Sequence, residues 1–156
     1  MRKLAETEAD RNTHLWDKVD TDPEYRALAR RIWLQGFVPA DDDPSPAEAL
    51  KVEKEQIERM AKAVAQLRAR GVKVLFVRLP SSGAYLEFEQ RYFPRARTWD
   101  ALLAATGAAG IHFEDYPEMQ GYNLPEWSHM TRAEAERFTA VLYRLIQRDF
   151  WAQGAR

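Results

Sequence analysis

A carboxylate and a histidine lie three residues apart near the end of the chain, within residues 124–130, LPEWSHM. In a loop, this spacing lets the Glu126 carboxylate accept a hydrogen bond from one imidazole nitrogen of His129. The other nitrogen is then left to act as a general base toward a hydroxyl. The alternative is that Trp127 and His129 only pack the loop against the core.

A strong helix start follows this loop directly. Thr131 and Glu134 fit the capping-box pattern, in which two side chains each accept one of the first backbone N–H groups of a helix. The pattern predicts a final helix over about 132–151. It also predicts that His129 is held close to a rigid element, as a catalytic base must be.

Two serines follow an apolar, β-branched segment over residues 72–80. That segment predicts a strand buried on both faces, which is typical of a parallel sheet. Because open α/β sheets bind ligands beyond the carboxyl ends of their strands, Ser81 and Ser82 are candidate nucleophiles if His129 reaches them. Neither lies in a Gly-x-Ser-x-Gly elbow, so an ordinary Ser-Ser-Gly turn is the alternative. Arg78, at the same strand end, is a candidate for holding a carboxylate or oxyanion, with a surface ion pair as its alternative.

The sequence gives no support for a metal or a nucleotide cofactor. His112 and Glu114 would share one face of a predicted strand over 111–115, but no second histidine is close to them in sequence. Neither standard form of glycine-rich phosphate loop is present. We therefore predict no metal and no cofactor.

Composition narrows the class of protein. The 156 residues suit one domain of ordinary core size, with 46% hydrophobic and 30% charged residues. The formal net charge of −1 gives no reason to expect nucleic acid or an anionic membrane as a partner. No apolar run approaches the roughly 20 residues of a membrane span, and the N-terminus does not resemble a signal peptide. There are no cysteines, so cysteine usage does not indicate a compartment.

The remaining pattern predicts a helix-rich α/β fold. In the first part of the chain, we expect a weak helix in residues 1–20, a helix from Asp22-Pro23 to about Gly36 with Trp33 on its apolar stripe, and a loop over 38–46. A long helix should then run from the capping box at Ser45–Glu48 to Gly71. Two shorter helices should end near Pro94 and Gly107. Helices would flank a small parallel sheet of two to three strands. The predicted division is a helical segment and loop over 1–45, an α/β domain over 46–152 and a tail over 153–156.

Residues 126–130, together with the strand and loop over 74–83, resemble the C-terminal half of an SGNH/GDSL-type hydrolase, over roughly residues 46–150. That family ends with an Asp-x-x-His block in a loop that is followed by a final amphipathic helix. The resemblance implies part of a flavodoxin-like three-layer fold, with His129 as the catalytic base and Glu126 in place of the usual Asp. The Gly-Asp-Ser nucleophile block, the oxyanion-hole Gly and the Gly-x-Asn-Asp block have no counterparts here.

The resemblance implies an ester hydrolase or acyltransferase that acts on O-acyl groups of a small ester or an acylated glycan, such as polysaccharide acetyl groups. It would be truncated or diverged, with low or no activity alone. Arg78, Ser82 and Trp127 are the candidate substrate-binding residues. Two strands make a poor sheet, so the alternative is a non-catalytic domain whose exposed sheet edge pairs with a second copy or with a missing N-terminal half. The family also allows an extracytoplasmic parent protein.

Overall fold

The computed structural model describes residues 3–41 and 43–151. The fold is α/β and rich in helix, with a small two-stranded parallel sheet flanked by helices, which confirms the predicted class. The chain forms two compact units. The first unit comprises Met1–Val38, Leu79–Glu87 and Phe113–Arg156, and the second comprises Pro39–Arg78 and Phe88–His112.

The elements follow in chain order. The strands are β1 (Ala5–Thr7), β2 (Thr13–Leu15), β3 (Leu75–Arg78) and β4 (Ala109–His112). The helices are α1 (Asp17–Thr21), α2 (Pro23–Gly36), α3 (Pro46–Ala69), α4 (Gly83–Tyr92), α5 (Trp99–Thr106) and α6 (Arg132–Leu145), which continues as a π-helical turn over Ile146–Trp151. Two 3₁₀ turns, Phe113–Asp115 and Pro117–Met119, lie between β4 and the loop before α6. The predicted tail over 153–156 lies outside the described residues.

The weak helix predicted for residues 1–20 is wrong. An antiparallel hairpin pairs β1 with β2, and helix begins only at α1. The turn of the hairpin explains the error. The Asp10 side chain accepts hydrogen bonds from the backbone and side-chain nitrogens of Asn12, at 2.9 and 2.6 Å, and Arg11 adopts a left-handed φ of 70°. Asp and Asn side chains stabilise such turns locally.

The helix starts that the sequence predicts are formed. The Asp22 carboxylate caps α2 by accepting from the backbone nitrogens of Glu24 and Tyr25. Ser45 and Glu48 form the complete capping box of α3. At α6, only half of the predicted capping box is formed: Thr131 accepts from the Glu134 nitrogen at 3.3 Å, but the Glu134 carboxylate bonds to Arg137 and the Thr131 nitrogen donates to the Asn123 oxygen. The loop before α6 is therefore followed by a capped helix.

The sheet of the second unit has the predicted small size, but its first strand is less buried than predicted. β3 and β4 pair in parallel, with Val77 opposite Ile111 and Arg78 opposite His112. All four residues of β3 are only half-buried, so the prediction of a strand buried on both faces is wrong. The predicted strand over 111–115 is also displaced, because the chain turns into a 3₁₀ helix at Phe113. Glu114 therefore does not share a strand face with His112.

Each unit has its own buried side chains. In the first unit, Leu15, Val19 and Ala29 form a cluster packed against Leu4, Trp16 and Tyr25. Met119 and Leu124 are buried in the region before α6, and Phe138 is buried on α6. In the second unit, Val64 of α3 and Ile111 of β4 are almost completely buried. No helix within residues 3–41 and 43–151 has both the length and the apolar character needed to span a membrane.

Candidate active site

The Glu126 carboxylate is the centre of the loop before α6. Its side chain is 0% exposed. Oε1 accepts hydrogen bonds from the His129 backbone nitrogen at 2.6 Å and from His129 Nδ1 at 2.9 Å. Oε2 accepts from Ser128 Oγ at 3.0 Å and from Trp33 Nε1. A buried carboxylate needs several donors to offset its lost hydration, and this one has them. The structure thus joins the two residues that the sequence singled out.

The hydrogen-bond network determines the tautomer of His129. Ser128 Oγ lies 2.8 Å from His129 Nδ1. The serine hydroxyl has one hydrogen, which it donates to the Glu126 carboxylate, so Oγ is left to accept from the imidazole. Both neighbours of Nδ1 are therefore acceptors, and Nδ1 carries the proton. In the neutral ring, Nε2 then holds the free lone pair that a general base requires.

The reactive side of the imidazole is open. The His129 side chain is 52% exposed. Within the part of the chain that the structure describes, its Nε2 has no hydrogen-bond partner. The ring is thus half exposed, and its hydrogen bonds to described residues are made at Nδ1.

The two groups shift each other's pKa. Burial by itself would raise the pKa of the Glu126 carboxyl, but hydrogen bonds from His129 and Trp33 outweigh burial and hold it below its ordinary value. The hydrogen bond to Glu126 raises the pKa of His129 above its ordinary value, against a smaller opposing effect of burial. Each partner therefore favours the charged form of the other.

Trp127 connects the loop to the segment that carries the candidate serines. Its backbone oxygen accepts from the Ser82 nitrogen at 2.9 Å. A Cβ added to Gly83 would lie 2.6 Å from Trp127 Nε1, so only glycine leaves room for the indole. Trp127 itself has a left-handed φ of 78°. Such a conformation costs about 1–3 kcal/mol in a bulky residue and is found where the surroundings enforce it, often at functional sites.

Helix α2 supplies two residues that the sequence analysis did not assign to the site. Trp33 donates to Glu126 Oε2, as stated above. Arg30, three residues earlier and hence on the same helix face, donates from Nε to the Pro125 oxygen at 2.8 Å. The Arg30 guanidinium carbon also lies 5.1 Å from the centroid of the Trp127 ring. The apolar stripe of α2 indicates that Trp33 is buried, but no local signal identifies a partner 93 residues away.

The two candidate nucleophiles differ in accessibility. Ser81 is only 6% exposed. Ser82 is half-buried, lies next to Trp127 through its backbone bond, and its hydroxyl has no hydrogen-bond partner within residues 3–41 and 43–151. Ser82 is therefore the better candidate of the pair.

The other candidate residues lie elsewhere. Arg78 belongs to the second unit, where its Nη2 pairs with Glu89 Oε2 at 2.5 Å and both side chains are about one-third exposed or less. This is the ion-pair alternative that the sequence analysis left open for Arg78. His112 is 6% exposed and packs edge-on against Trp99, with ring centroids 5.2 Å apart.

The described residues contain no group of three or more His, Asp or Glu side chains that converge as metal ligands would. Glu114 is exposed and lies in the 3₁₀ turn after the strand that ends at His112.

Comparison with protein-family models found no match, and searches of curated proteins and of solved structures also found no similar protein.

Proposed function

We propose that this chain is an SGNH-like ester hydrolase or acyltransferase that acts on O-acyl groups, with small acyl esters or acylated glycans as substrates. The observation that carries the proposal is the Glu126–His129 pair. A fully buried carboxylate fixes Nδ1–H, and the half-exposed ring presents Nε2 without a partner in the described chain. This is the arrangement by which a carboxylate–histidine pair activates a hydroxyl.

In the proposed reaction, His129 Nε2 takes the proton of a nucleophilic hydroxyl while the oxygen attacks the ester carbonyl carbon. The imidazolium that forms is stabilised by the Glu126 carboxylate and then gives its proton to the departing alcohol. The acyl-enzyme is cleaved by water in a hydrolase or by an acceptor hydroxyl in an acyltransferase. His129 acts as the base a second time in that step.

Ser82 is the proposed nucleophile within this chain, and Ser81 is the less accessible alternative. The Ser82 nitrogen bonds to Trp127, two residues before His129, and this contact supports the choice. Because the Gly-Asp-Ser block of the family is absent, we expect the isolated chain to be weakly active at most. A catalytic triad without its nucleophile loses most of its rate acceleration.

A serine-directed fluorophosphonate probe tests the proposal directly. We expect slow labelling of Ser82, identified by peptide mass spectrometry and abolished in Ser82→Ala. The matched control, Ser45→Ala, removes a serine of the second unit and should leave labelling unchanged. Replacing the base in His129→Ala should slow labelling by about 100-fold or more. If the intact chain is not labelled, neither Ser81 nor Ser82 is the nucleophile; if labelling survives His129→Ala undiminished, the base is misassigned.

A second candidate function, a non-catalytic domain that pairs through a sheet edge, is favoured by one observation. The parallel sheet has only two strands in the described chain, so each strand has an edge without a neighbouring strand. Such edges are templates for pairing with another chain. Backbone amides of β3 and β4 whose hydrogen exchange slows as protein concentration rises would support this function. Exchange that is independent of concentration would contradict self-pairing.

A further inference from the structure

The Arg30 guanidinium is held in place at the edge of the candidate active site. Its Nε donates to the Pro125 oxygen at 2.8 Å, and its carbon lies 5.1 Å from the Trp127 ring centroid. Arginine stacks on aromatic faces in this way, which restricts the guanidinium without using its terminal nitrogens. The side chain is half-buried. Arg30 is therefore held through its Nε and the face of its guanidinium, and these contacts do not use its terminal nitrogens.

Among the described residues, the terminal nitrogens of Arg30 have no protein partner. Within residues 3–41 and 43–151, neither Nη atom makes a hydrogen bond or an ion pair. Three other arginines of the first unit pair with carboxylates: Arg132 with Glu8, Arg137 with Glu134, and Arg148 with Asp149. Arg30 differs from them because its forked donors remain available while its orientation is fixed.

Arg30 is connected to the Glu126–His129 pair by short stretches of chain. It contacts the residue before Glu126 through the Pro125 oxygen, and it contacts the residue after Glu126 through the Trp127 ring. Yet none of the hydrogen bonds to Glu126 comes from Arg30, since the carboxylate is served by Trp33, Ser128 and His129. The Arg30 guanidinium therefore does not form an ion pair with the buried Glu126 carboxylate.

We propose that Arg30 binds an oxyanion group of the substrate, so that this site takes acyl esters that carry a carboxylate or a phosphate. A guanidinium fork binds two oxygens of such a group in parallel, which gives both affinity and orientation. This inference deepens the proposed function and rests on it for the statement that the bound group belongs to a substrate. The anion site itself is independent of any catalytic step.

Anion binding by the intact chain tests the site without reference to catalysis. Benzoate and phenyl phosphate are titrated separately, and the Arg30 Nε–H and His129 ring resonances are followed by NMR. We expect saturable shifts of both resonances with at least one of the two anions. The anion that binds with the higher affinity identifies the bound group as a carboxylate or a phosphate. Arg30→Gln should weaken binding by about tenfold or more, because a charge-assisted bidentate contact is lost.

The matched control is Arg31→Gln. Arg31 is the next residue of α2 and is exposed. Arg31→Gln removes the same charge as Arg30→Gln, so a general electrostatic attraction of the anion would respond equally to both substitutions. Unchanged binding in Arg31→Gln and loss in Arg30→Gln support the site. Equal losses in the two variants, or no saturable shift in the unsubstituted chain, would overturn it. Unchanged His129 resonances in ligand-free Arg30→Gln confirm that the loop stays folded.

Kinetic measurements separate the inference from the proposed function. If anions bind at Arg30 but no ester is turned over and the fluorophosphonate does not react, the anion site stands and the hydrolase proposal fails. If a neutral and an anionic ester are turned over equally well, and Arg30→Gln affects neither, the hydrolase proposal stands and the substrate inference fails. Selective loss of kcat/KM for the anionic ester in Arg30→Gln supports both.

Discussion

The loop around Glu126 and the Arg78–Glu89 pair are two different ways of handling charge at partly or fully buried positions. In the first unit, a carboxylate with no exposure accepts from an indole, a hydroxyl, a backbone nitrogen and an imidazole. In the second unit, a guanidinium and a carboxylate bond directly to each other, with exposures of 30% and 26%. Beside the loop, by contrast, His129 Nε2 and the terminal nitrogens of Arg30 have no protein partner among the described residues.

We interpret this difference as that between a candidate site and a structural contact. A surface ion pair gains little, since solvent screens the attraction and two long side chains lose freedom. Burying the Glu126 charge is costly and is offset only because several donors converge on it. A protein that needed this carboxylate only to order a loop would not have to leave Nε2 of its imidazole partner open.

Replacing each carboxylate by alanine should give the largest contrast. In Glu126→Ala, Trp33 Nε1 and the donors of Ser128 and His129 lose their acceptor in a buried setting, so we expect the free energy of unfolding to fall by about 3–5 kcal/mol. In Glu89→Ala the expected loss is about 1 kcal/mol. Urea denaturation followed by tryptophan fluorescence measures both. Similar losses in the two variants would remove the distinction between site and structural contact.

The contact between Gly83 and Trp127 gives the next largest effect. In Gly83→Ala, the positive φ of 50° and a Cβ 2.6 Å from the indole nitrogen act together, and we expect a loss of about 2–3 kcal/mol in unfolding free energy. Gly121→Ala is the matched control, because Gly121 has a φ of 75° but nothing within 4 Å of the added Cβ. Its cost should be about 1 kcal/mol. Equal costs would show that the indole yields easily, and that the loop is looser than its hydrogen bonds indicate.

A smaller effect is expected from removing one donor of Glu126. Trp33→Phe keeps an aromatic ring beside Tyr85, whose centroid is 5.0 Å away, but removes the indole N–H. We expect a loss of about 1–2 kcal/mol in unfolding free energy. In Trp16→Phe, the matched control, no indole hydrogen bond is lost among the described residues, and the expected change is smaller. If Trp16→Phe lost as much unfolding free energy as Trp33→Phe, the loss would be due to the smaller ring and not to the missing hydrogen bond.

The pH dependence of the pair should be the smallest effect, because His129 is half exposed. The folded-state pKa of His129 lies above its ordinary value of 6.5, so its contribution to stability is complete below pH 6.5 and is lost as pH rises through the folded value. The folded-state pKa of Glu126 lies below 4.5, so its contribution is complete above pH 4.5 and is lost as pH falls through the folded value.

The stability difference between the unsubstituted chain and His129→Gln should therefore be greatest between pH 4.5 and 6.5. Urea midpoints across pH measure it, and a difference that does not vary with pH would show that the imidazole gains nothing from Glu126. Above pH 6.5, the rate of labelling should rise with pH, whereas the contribution of His129 to stability should fall. Because the base works unprotonated, labelling by the fluorophosphonate should rise with pH only above 6.5.

Local signals predicted the parts of the fold that depend on local interactions. The Asp22 and Ser45 caps and the helix end at Gly107 were read directly from residue types, because each cap is satisfied within a few residues. The Glu126–His129 contact is also local, at a spacing of three residues. The hairpin of β1 and β2 was missed because three-residue strands are too short to show alternation, and its turn uses Arg11 at positive φ where glycine would be the usual signal.

The missed parts of the site depend on contacts that are distant in sequence. Trp33 and Arg30 have the pattern of an ordinary amphipathic helix, and nothing near them in sequence indicates the carboxylate or the carbonyl that they bind. Likewise, the half-burial of β3 depends on how many strands complete its sheet, which its own composition does not specify. The apolar composition of a segment indicates that burying it is favourable. It does not indicate whether a neighbouring strand or helix is present to cover it.

The contacts of α2 also have a consequence for the order of folding. Trp33 and Arg30 bind residues that lie 93 and 95 positions later in the chain. Closing so long a loop is slow relative to forming a helix or a hairpin. Caps and helices can therefore form before the Glu126 carboxylate receives the indole N–H of Trp33. A chain synthesised or cleaved without α2 would retain every residue from Leu124 to Met130 but would lack the Trp33 donor to Glu126 and the Arg30 donor to the Pro125 oxygen.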